Sequence, residues 1–446
     1  MKLSIHPEAN TLIHTLQEQG YEAFVVGGCV RNALLGLHPH DWDICTNATP
    51  SQMREVFRGY ETVDFGLKHG TLVVMVGKQP YEVTTYRVDG VYADNRHPEQ
   101  VTFTDSLALD LSRRDFTVNA MAYNDEQGLV DPFGGAEDLR CRRLRCVGVP
   151  DNRFHEDALR ILRGVRFAAV YGFSVEEETA ASLHRCAPLL RHIAAERVAS
   201  ELTGALCGAH VAETLDAFRD VAAVAVPELT ETFDFPQRNK HHRYDVWRHI
   251  LHAVAAIDSD PLLRVTMLLH DIGKPRACTA DADGTNHFKG HQQISAELAS
   301  VILRRLRFPN AFIEDCLALI VYHDVRFNGT TKQVRRVLSR LGEVNTRRLF
   351  AVQRADIAAQ SAYRREEKLA SVAEAERLAE EILAQRQCLC VKDLAVGGRE
   401  LLAAGVPRGR AVGRLLNTLL DEVLDETLPN EREALLARAR SLAADL

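Results

Sequence analysis

Leu12, Ile13 and Leu16 fall on one face of the segment 7–19, so the spacing predicts a helix, and Gly20 ends it. Shorter apolar runs follow in strand fashion at residues 23–26, 41–45, 71–76, 81–86 and 100–103. Between the last two lies a polar stretch, 87–99, that reads as mobile. Mixed strand and helix signals end near Val149. From about Asp151 onward strand signals nearly vanish, and helical periodicity dominates to the C-terminus. The pattern is that of an α+β chain, with a mixed sheet and helices first and an all-helical remainder. Composition breaks at 233–242, "FDFPQRNKHH", which reads as a linker, and again after about Gln360, where 364–387 reads as a charged amphipathic helix. No low-complexity tract or internal repeat interrupts this order.

With 446 residues the chain should divide into roughly two to four domains. It is 46% hydrophobic and 26% charged, an ordinary globular balance. No apolar run reaches membrane-spanning length, and the N-terminus lacks a signal-peptide pattern, so a cytoplasmic protein is expected. The ten cysteines include no CxxC, and Cys388 and Cys390 are the nearest pair; reduced thiols are expected. A net charge of −7 argues weakly against a nucleic-acid partner. The arginines are unevenly spread, however. Residues 138–166 hold eight Arg against four acids, a local +4. Such a face can bind phosphates within an acidic whole; a solvated arginine-rich surface is the plain alternative.

Asp41 and Asp43 follow Gly27, Gly28 and Arg31 at the distance of one helix. Carboxylates two residues apart on a strand point to the same face, which is costly unless a cation sits between them. Glycines at a strand-to-helix turn let backbone N–H groups approach a phosphate, with the helix N-terminus adding favourable potential. Glu82, on "YEVTTY", offers a third carboxylate. Three acids converging near a triphosphate can hold two magnesium ions, one activating a hydroxyl nucleophile and the other steadying the pyrophosphate. An Asp-x-Asp by itself is weak, since many such pairs are turn or capping residues; the glycines, Arg31 and Glu82 strengthen it.

The segments "GGCVRNALLG", "DWDICT", "FGLKHGTLVV", "YEVTTYR", "DLSRRDFTVNAMAYN", "DPFGGAEDL" and "EDALRILRGVRFAA" strongly resemble, in order, the bacterial class II tRNA nucleotidyltransferases, the CCA-adding enzymes of the polymerase-β-like superfamily. The resemblance covers about the first 170 residues. It implies a polymerase-β-like head, magnesium in the head, ATP and CTP as substrates and tRNA as partner, with no membrane. Asn32 departs from it, since the family usually carries aspartate after the arginine.

In "EDALRILRGVRF", Asp157 and Arg160 are predicted on one helix face at i, i+3. Cytosine and adenine each present an amino donor beside a bare ring nitrogen, whereas guanine and uracil present a carbonyl beside a ring N–H. A carboxylate only accepts and a guanidinium only donates, so this pair matches C and A. Unpaired polar groups can give rejection on the order of 10⁴ in a closed site. The family uses these two motif positions in this way; an intrahelical salt bridge is the plain alternative. Arg163 and Arg166 continue the face and could pair with triphosphate. By resemblance, Arg113 and Arg114 contact phosphate, and Asp115 and Asn119 contact the sugar or support the scaffold.

His249, His270 with Asp271, and Asp356 have the order of an HD phosphohydrolase domain, with His291 and His323 between them. Imidazoles and carboxylates from separate helices suit a divalent metal; an idle structural module is the alternative. In the tail, Gly405, Gly409 and Gly413 with Arg408, Arg410 and Arg414 could meet an RNA backbone, or form a plain helix-turn-helix packing module.

The expected organisation is a catalytic head (1–149), a helical neck that selects the nucleotide (150–235), an HD domain (236–362) and a helical tRNA-binding tail (363–446). The expected function is CCA addition, with a second HD phosphohydrolase activity. A poly(A) polymerase or a CC- or A-adding enzyme stands as the near alternative. A metal phosphohydrolase using the head only to bind RNA is the distant one.

Overall fold

The computed structural model describes residues 2–64, 66, 70–90 and 101–443. It divides into two compact units, residues 1–230 with 305–307 and residues 231–304 with 308–446. Strands and helices mix in the first and helices dominate the second, an α+β fold.

In the first unit, α1 (Pro7–Glu18) starts with Pro at its first turn and buries Ala9, Leu12, Ile13 and Leu16. Gly20 ends it with φ of +83°. The chain then passes through β1 (Ala23–Val26), α2 (Gly28–Leu34), β2 (Ile44–Thr46), α3 (Pro50–Val56), β3 (Glu61–Val63), β4 (Thr71–Val76) and β5 (Gln79–Thr85). After β6 (Arg87–Asp89), β7 (Val101–Phe103) and α4 (Leu107–Ser112) come β8 (Ala122–Asn124), β9 (Gly128–Val130), α5 (Gly135–Arg140), α6 (Pro150–Glu156) and α7 (Leu159–Tyr171). Seven strands form one sheet in the order β3-β4-β5-β2-β1-β8-β9. Its β2–β5 pair is parallel and its other pairs are antiparallel. The helices Glu177–Cys186, Ala195–Leu206, Val211–Ala217 and Arg219–Ala225 complete this unit.

Three expectations are corrected. The strand expected at 41–45 begins only at Ile44, because aspartate is a poor strand former and ladder pairing starts beyond the two acids. The stretch 87–99, expected to be mobile, opens with β6, which pairs with β7; residues 91–99 lie outside the described residues. The single helix expected over "EDALRILRGVRF" is broken at Asp157, whose backbone is extended (φ −137°, ψ 103°). Its Oδ1 accepts the Leu159 N–H at 3.1 Å, so the side chain competes with the helical ladder and α7 starts afresh. Phe65 and residues 67–69 of "FGLKHG" also lie outside the described residues.

The second unit contains the helices Val246–Ala256, Pro261–Leu269, His291–Arg305, Asn310–Tyr322, Thr331–Ala359 and Arg365–Ala384. Gly342, at φ of +72°, breaks the longest of them. Its last three helices, Gly398–Ala403, Arg410–Leu424 and Arg432–Ala443, close over a separate core that includes Leu401, Leu415, Leu419 and Leu435. The segment 233–242, read as a linker, belongs to this unit and buries Gln237. All ten cysteines are free thiols. No helix among the described residues is long and apolar enough to cross a membrane.

Candidate active site

β1 ends in the glycine turn. Gly27 has φ of +80°, and a Cβ there would stand 3.0 Å from Arg114 Nη1, so glycine serves both the conformation and the approach of that cation. Four residues on, Arg31 does not face solvent. It is buried, donating to Asn119 at 2.6 Å, to Asn32 at 2.9 and 3.1 Å and to Tyr171 at 2.8 Å. The amide of Asn32 thus serves as acceptor for this arginine.

The parallel register pairs Ile44 with Val83, so Asp43 and Glu82 sit side by side, one step before the ladder begins. The Asp43 carbonyl accepts the Val26 N–H at 3.0 Å, holding that end of β2 on β1. The Asp43 carboxyl is raised above the usual carboxylate range by desolvation within the cleft, then by the Glu82 and Asp41 charges, while Arg114 opposes. Asp43 is exposed, so the like charges of Glu82 and Asp41 sustain this rise. Asp41 and Glu82 are likewise exposed. The three are coupled but do not form a trio with all ligand atoms within 4.8 Å, unlike the histidine cluster below.

Beside them, α4 supplies an aspartate that the sequence reading overlooked. Buried Asp110 takes Arg113 at 2.8 Å and Arg114 at 3.4 Å. Its i, i+3 and i+4 spacing to these arginines was the available signal. Arg114 Nε is buried without a hydrogen-bond partner, and the charge of this arginine opposes the rise at Asp43. Asp115, also buried, accepts from Asn119 Nδ2 at 3.0 Å and from Arg163 at 2.8 Å. Burial would raise its carboxyl, but Arg163 and the Asn119 hydrogen bond outweigh that and hold it at about 2.

Asp157 and Arg160 flank the start of α7. Arg160 Nη1 donates to Glu156 at 2.7 Å and its Nη2 to the Arg113 carbonyl at 3.0 Å; Asp157 meets Arg197 at 3.5 Å. Arg166 pairs with Glu201 at 2.6 Å and lies 4.7 Å from the Phe167 ring centroid. The basic run 138–166 is therefore largely neutralised. Arg143 and Arg145 share Asp138, and Arg153 and Arg160 share Glu156. Much of the local +4 disappears because Asp115 and Glu201 lie outside the run.

In the second unit the six expected ligands converge. His249 Nε2 lies 3.0 Å from both Asp271 Oδ2 and Asp356 Oδ1. His270 Nε2 lies 3.2 Å from Asp271 Oδ2, and His291 Nε2 3.2 Å from Asp271 Oδ1. His323 Nε2 is 3.7 Å from the same Oδ1. The Nδ1 atoms of His270, His291 and His323 each face a backbone carbonyl at 2.6–2.7 Å, which turns each Nε2 inward, and the Nε2 atoms of His291 and His323 lie 3.2 Å apart. His249 Nε2, His270 Nε2 and both Asp271 oxygens are buried and turned toward one another, an arrangement of imidazoles and a carboxylate that fits a cation. Lys274 Nζ, 2.6 Å from Asp271 and 2.9 Å from Gln237, was not foreseen. Burial would raise Asp271, but His270 and Lys274 hold it well below the carboxylate range. A cavity of about 1130 Å³ opens on this cluster, lined in part by Lys240, Lys289, Arg326 and Lys368.

In the tail, Arg408, Arg410 and Arg414 are exposed around Gly409, whose φ is +113°. The opposite face of that helix buries Leu415, Leu419 and Leu420.

Comparison with known proteins adds independent findings. Residues 23–145 match the family "Poly A polymerase head domain", residues 172–232 "Probable RNA and SrmB- binding site of polymerase A", and residues 288–439 the family of tRNA nucleotidyltransferase domain 2. A CCA-adding enzyme of Levilactobacillus brevis is 34% identical over 98% of this chain and 99% of its own length. One from Geobacillus thermodenitrificans is 42% identical over 58% of this chain, a match that spans 66% of that relative. The crystal structure of the Bacillus stearothermophilus CCA-adding enzyme in complex with CTP superposes with a TM-score of 0.71 at 28% identity, covering 99% of both chains. Glycine turn, flanking acids, fold and full-length similarity agree: the chain belongs to the family of CCA-adding enzymes, the tRNA nucleotidyltransferases.

Proposed function

We propose that the protein adds C, C and A to tRNA 3′ ends from CTP and ATP, in the cytoplasm. The adjacency of Asp43 and Glu82 across the parallel β2–β5 pair, with Asp41 beside them, carries the reading. Nucleotidyltransferases of this kind use divalent metals. These three acids would hold magnesium, which when bound neutralises charge on the triphosphate and favours the 3′-hydroxyl as nucleophile. Arg114, with its spare buried donor, and Arg113 take the phosphates. Asp157 accepts the amino group of cytosine or adenine and Arg160 donates to the ring nitrogen, so guanine and uracil leave both unpaired. In this reading the work divides among a head (1–149), a neck (150–235), an HD domain (236–362) and a tail (363–446) that holds tRNA through Arg408, Arg410 and Arg414.

A second reading is favoured by the buried cluster around Asp271. Its four imidazoles and two carboxylates would hold a divalent metal, and the cations on the cavity wall suit a phosphoester. This activity would be separate from nucleotide addition. The deciding experiment is extension of tRNAs ending before, within and after CC, with single nucleotides. Full CCA synthesis supports the reading; addition of A alone without limit would instead mark a poly(A) polymerase.

A further inference from the structure

Arg31 is a buried cation without a carboxylate partner among the described residues. It is 6% exposed, and the oxygens that accept from it, on Asn119, Asn32 and Tyr171, are all neutral. Tyr171 Oη also donates to Asn32 Oδ1 at 3.1 Å. The guanidinium lies over two rings, 5.0 Å from the Phe167 centroid and 4.7 Å from that of Tyr171.

Tyr171 closes α7, whose other end carries Arg160 and follows Asp157. Besides the Arg160 Nη2 bond to the Arg113 carbonyl at its start, that helix is tied to the sheet domain at two further places. Arg163 holds its middle to Asp115, and Tyr171 holds its end to Arg31 and Asn32 on α2, the helix that springs from the glycine turn. The ties are one circuit, because Asn119 accepts from Arg31 and donates to Asp115. A helix of thirteen residues is about 20 Å long, so a tilt of a few degrees shifts its far end by about 1 Å. Shifts of that size are costly where a site must meet a substrate edge.

We infer that Tyr171 is a positioning residue for base selection: its hydroxyl sets the tilt of α7 against the glycine turn, and so where Asp157 and Arg160 stand when a nucleotide binds. The inference rests on the nucleotidyl transfer proposed above. Tyr171 forms no bond with Asp41, Asp43 or Glu82, so losing its hydroxyl should loosen the grip on the base and leave the chemical step alone.

Tyr171→Phe keeps the ring over Arg31 and removes only the hydroxyl. The expected result is a KM for CTP and ATP raised about five- to tenfold, the scale of one hydrogen bond to a charged group. Misincorporation of GTP and UTP should rise by a similar factor, with kcat within about twofold. Adding Asn32→Asp to Tyr171→Phe gives Arg31 a charge-assisted partner within α2 but restores no tie to α7, so KM should stay raised. Unchanged KM and discrimination in Tyr171→Phe would overturn the inference. So would a joint fall in kcat and melting temperature, which would make Tyr171 a packing residue, or recovery of KM in the double variant, which would make the unpaired charge of Arg31 the cause. A wild-type protein that extends no tRNA would instead refute nucleotidyl transfer itself, and this inference with it.

Discussion

The side chains of Asp157 and Arg160, three residues apart, do not pair with each other, although the Arg160 N–H donates to the Asp157 carbonyl at 3.0 Å: the Arg160 guanidinium turns back to Glu156 at 2.7 Å, and the Asp157 carboxylate reaches Arg197 at 3.5 Å. The intrahelical salt bridge that would have explained the pair blandly is not formed. Asp157→Asn supplies a donor where only an acceptor stood, so GTP and UTP incorporation should rise at least about tenfold relative to CTP and ATP. Arg160→Ala should weaken CTP and ATP together. Single-turnover addition with each of the four nucleotides checks both; wild-type preference and rate in both variants would assign selection elsewhere.

Removing either acid before β2 should stop the chemistry and not the binding. Asp41→Ala or Asp43→Ala is expected to lower nucleotide addition on the order of 10³-fold or more, with tRNA affinity within a few-fold. Filter binding beside the extension assay separates the two. Lost affinity with intact turnover would make these acids structural.

The histidine cluster should be separable from the head. His270→Ala is expected to lower the divalent metal content of the purified protein and abolish any phosphoesterase activity, while CCA addition stays within about twofold. Elemental analysis and the two activity assays test this. Simultaneous loss of both activities in a folded variant would contradict it.

Asp115 makes stability depend on acid pH. Its carboxyl is held at about 2 in the folded chain against an ordinary 3.8. A depressed value means the stabilisation is fully present above pH 3.8 and is lost as pH falls through about 2. The shift corresponds to about 2–3 kcal/mol. Urea unfolding midpoints of wild type and Asp115→Asn should differ by a constant amount above pH 4.5 and converge below 3.8. A gap that ignores pH would place the stabilisation elsewhere.

What the sequence revealed was what short spacing encodes. Leu12, Ile13 and Leu16 mark α1, and the paired glycines with Asp41 and Asp43 mark the site, because both are written within a few residues. The His-Asp dyad at 270 and 271 likewise drew in His249, His291, His323 and Asp356, all of which converge. Arg31 was grouped with the glycines and the acids as part of the nucleotide site, whereas its neighbours, Asn119 and Tyr171, lie 88 and 140 residues away and no local pattern points to them. Asp157 was placed inside a helix, because its side-chain bond to the Leu159 N–H overrides a good helical pattern. Strands β8 and β9 escaped notice: each is three residues long, too short for alternation to register.

The parallel seam between β2 and β5 carries a consequence for quality control. Asp43 and Glu82 are neighbours only because Ile44 pairs with Val83. Side chains alternate along a strand, so a slip of one residue would turn Glu82 to the opposite face of the sheet and bury what should be wet. A wrongly assembled head would then be inert rather than error-prone. Since the register that builds the core also brings these two acids together, faulty copies of the enzyme would leave tRNA ends short instead of writing wrong ones.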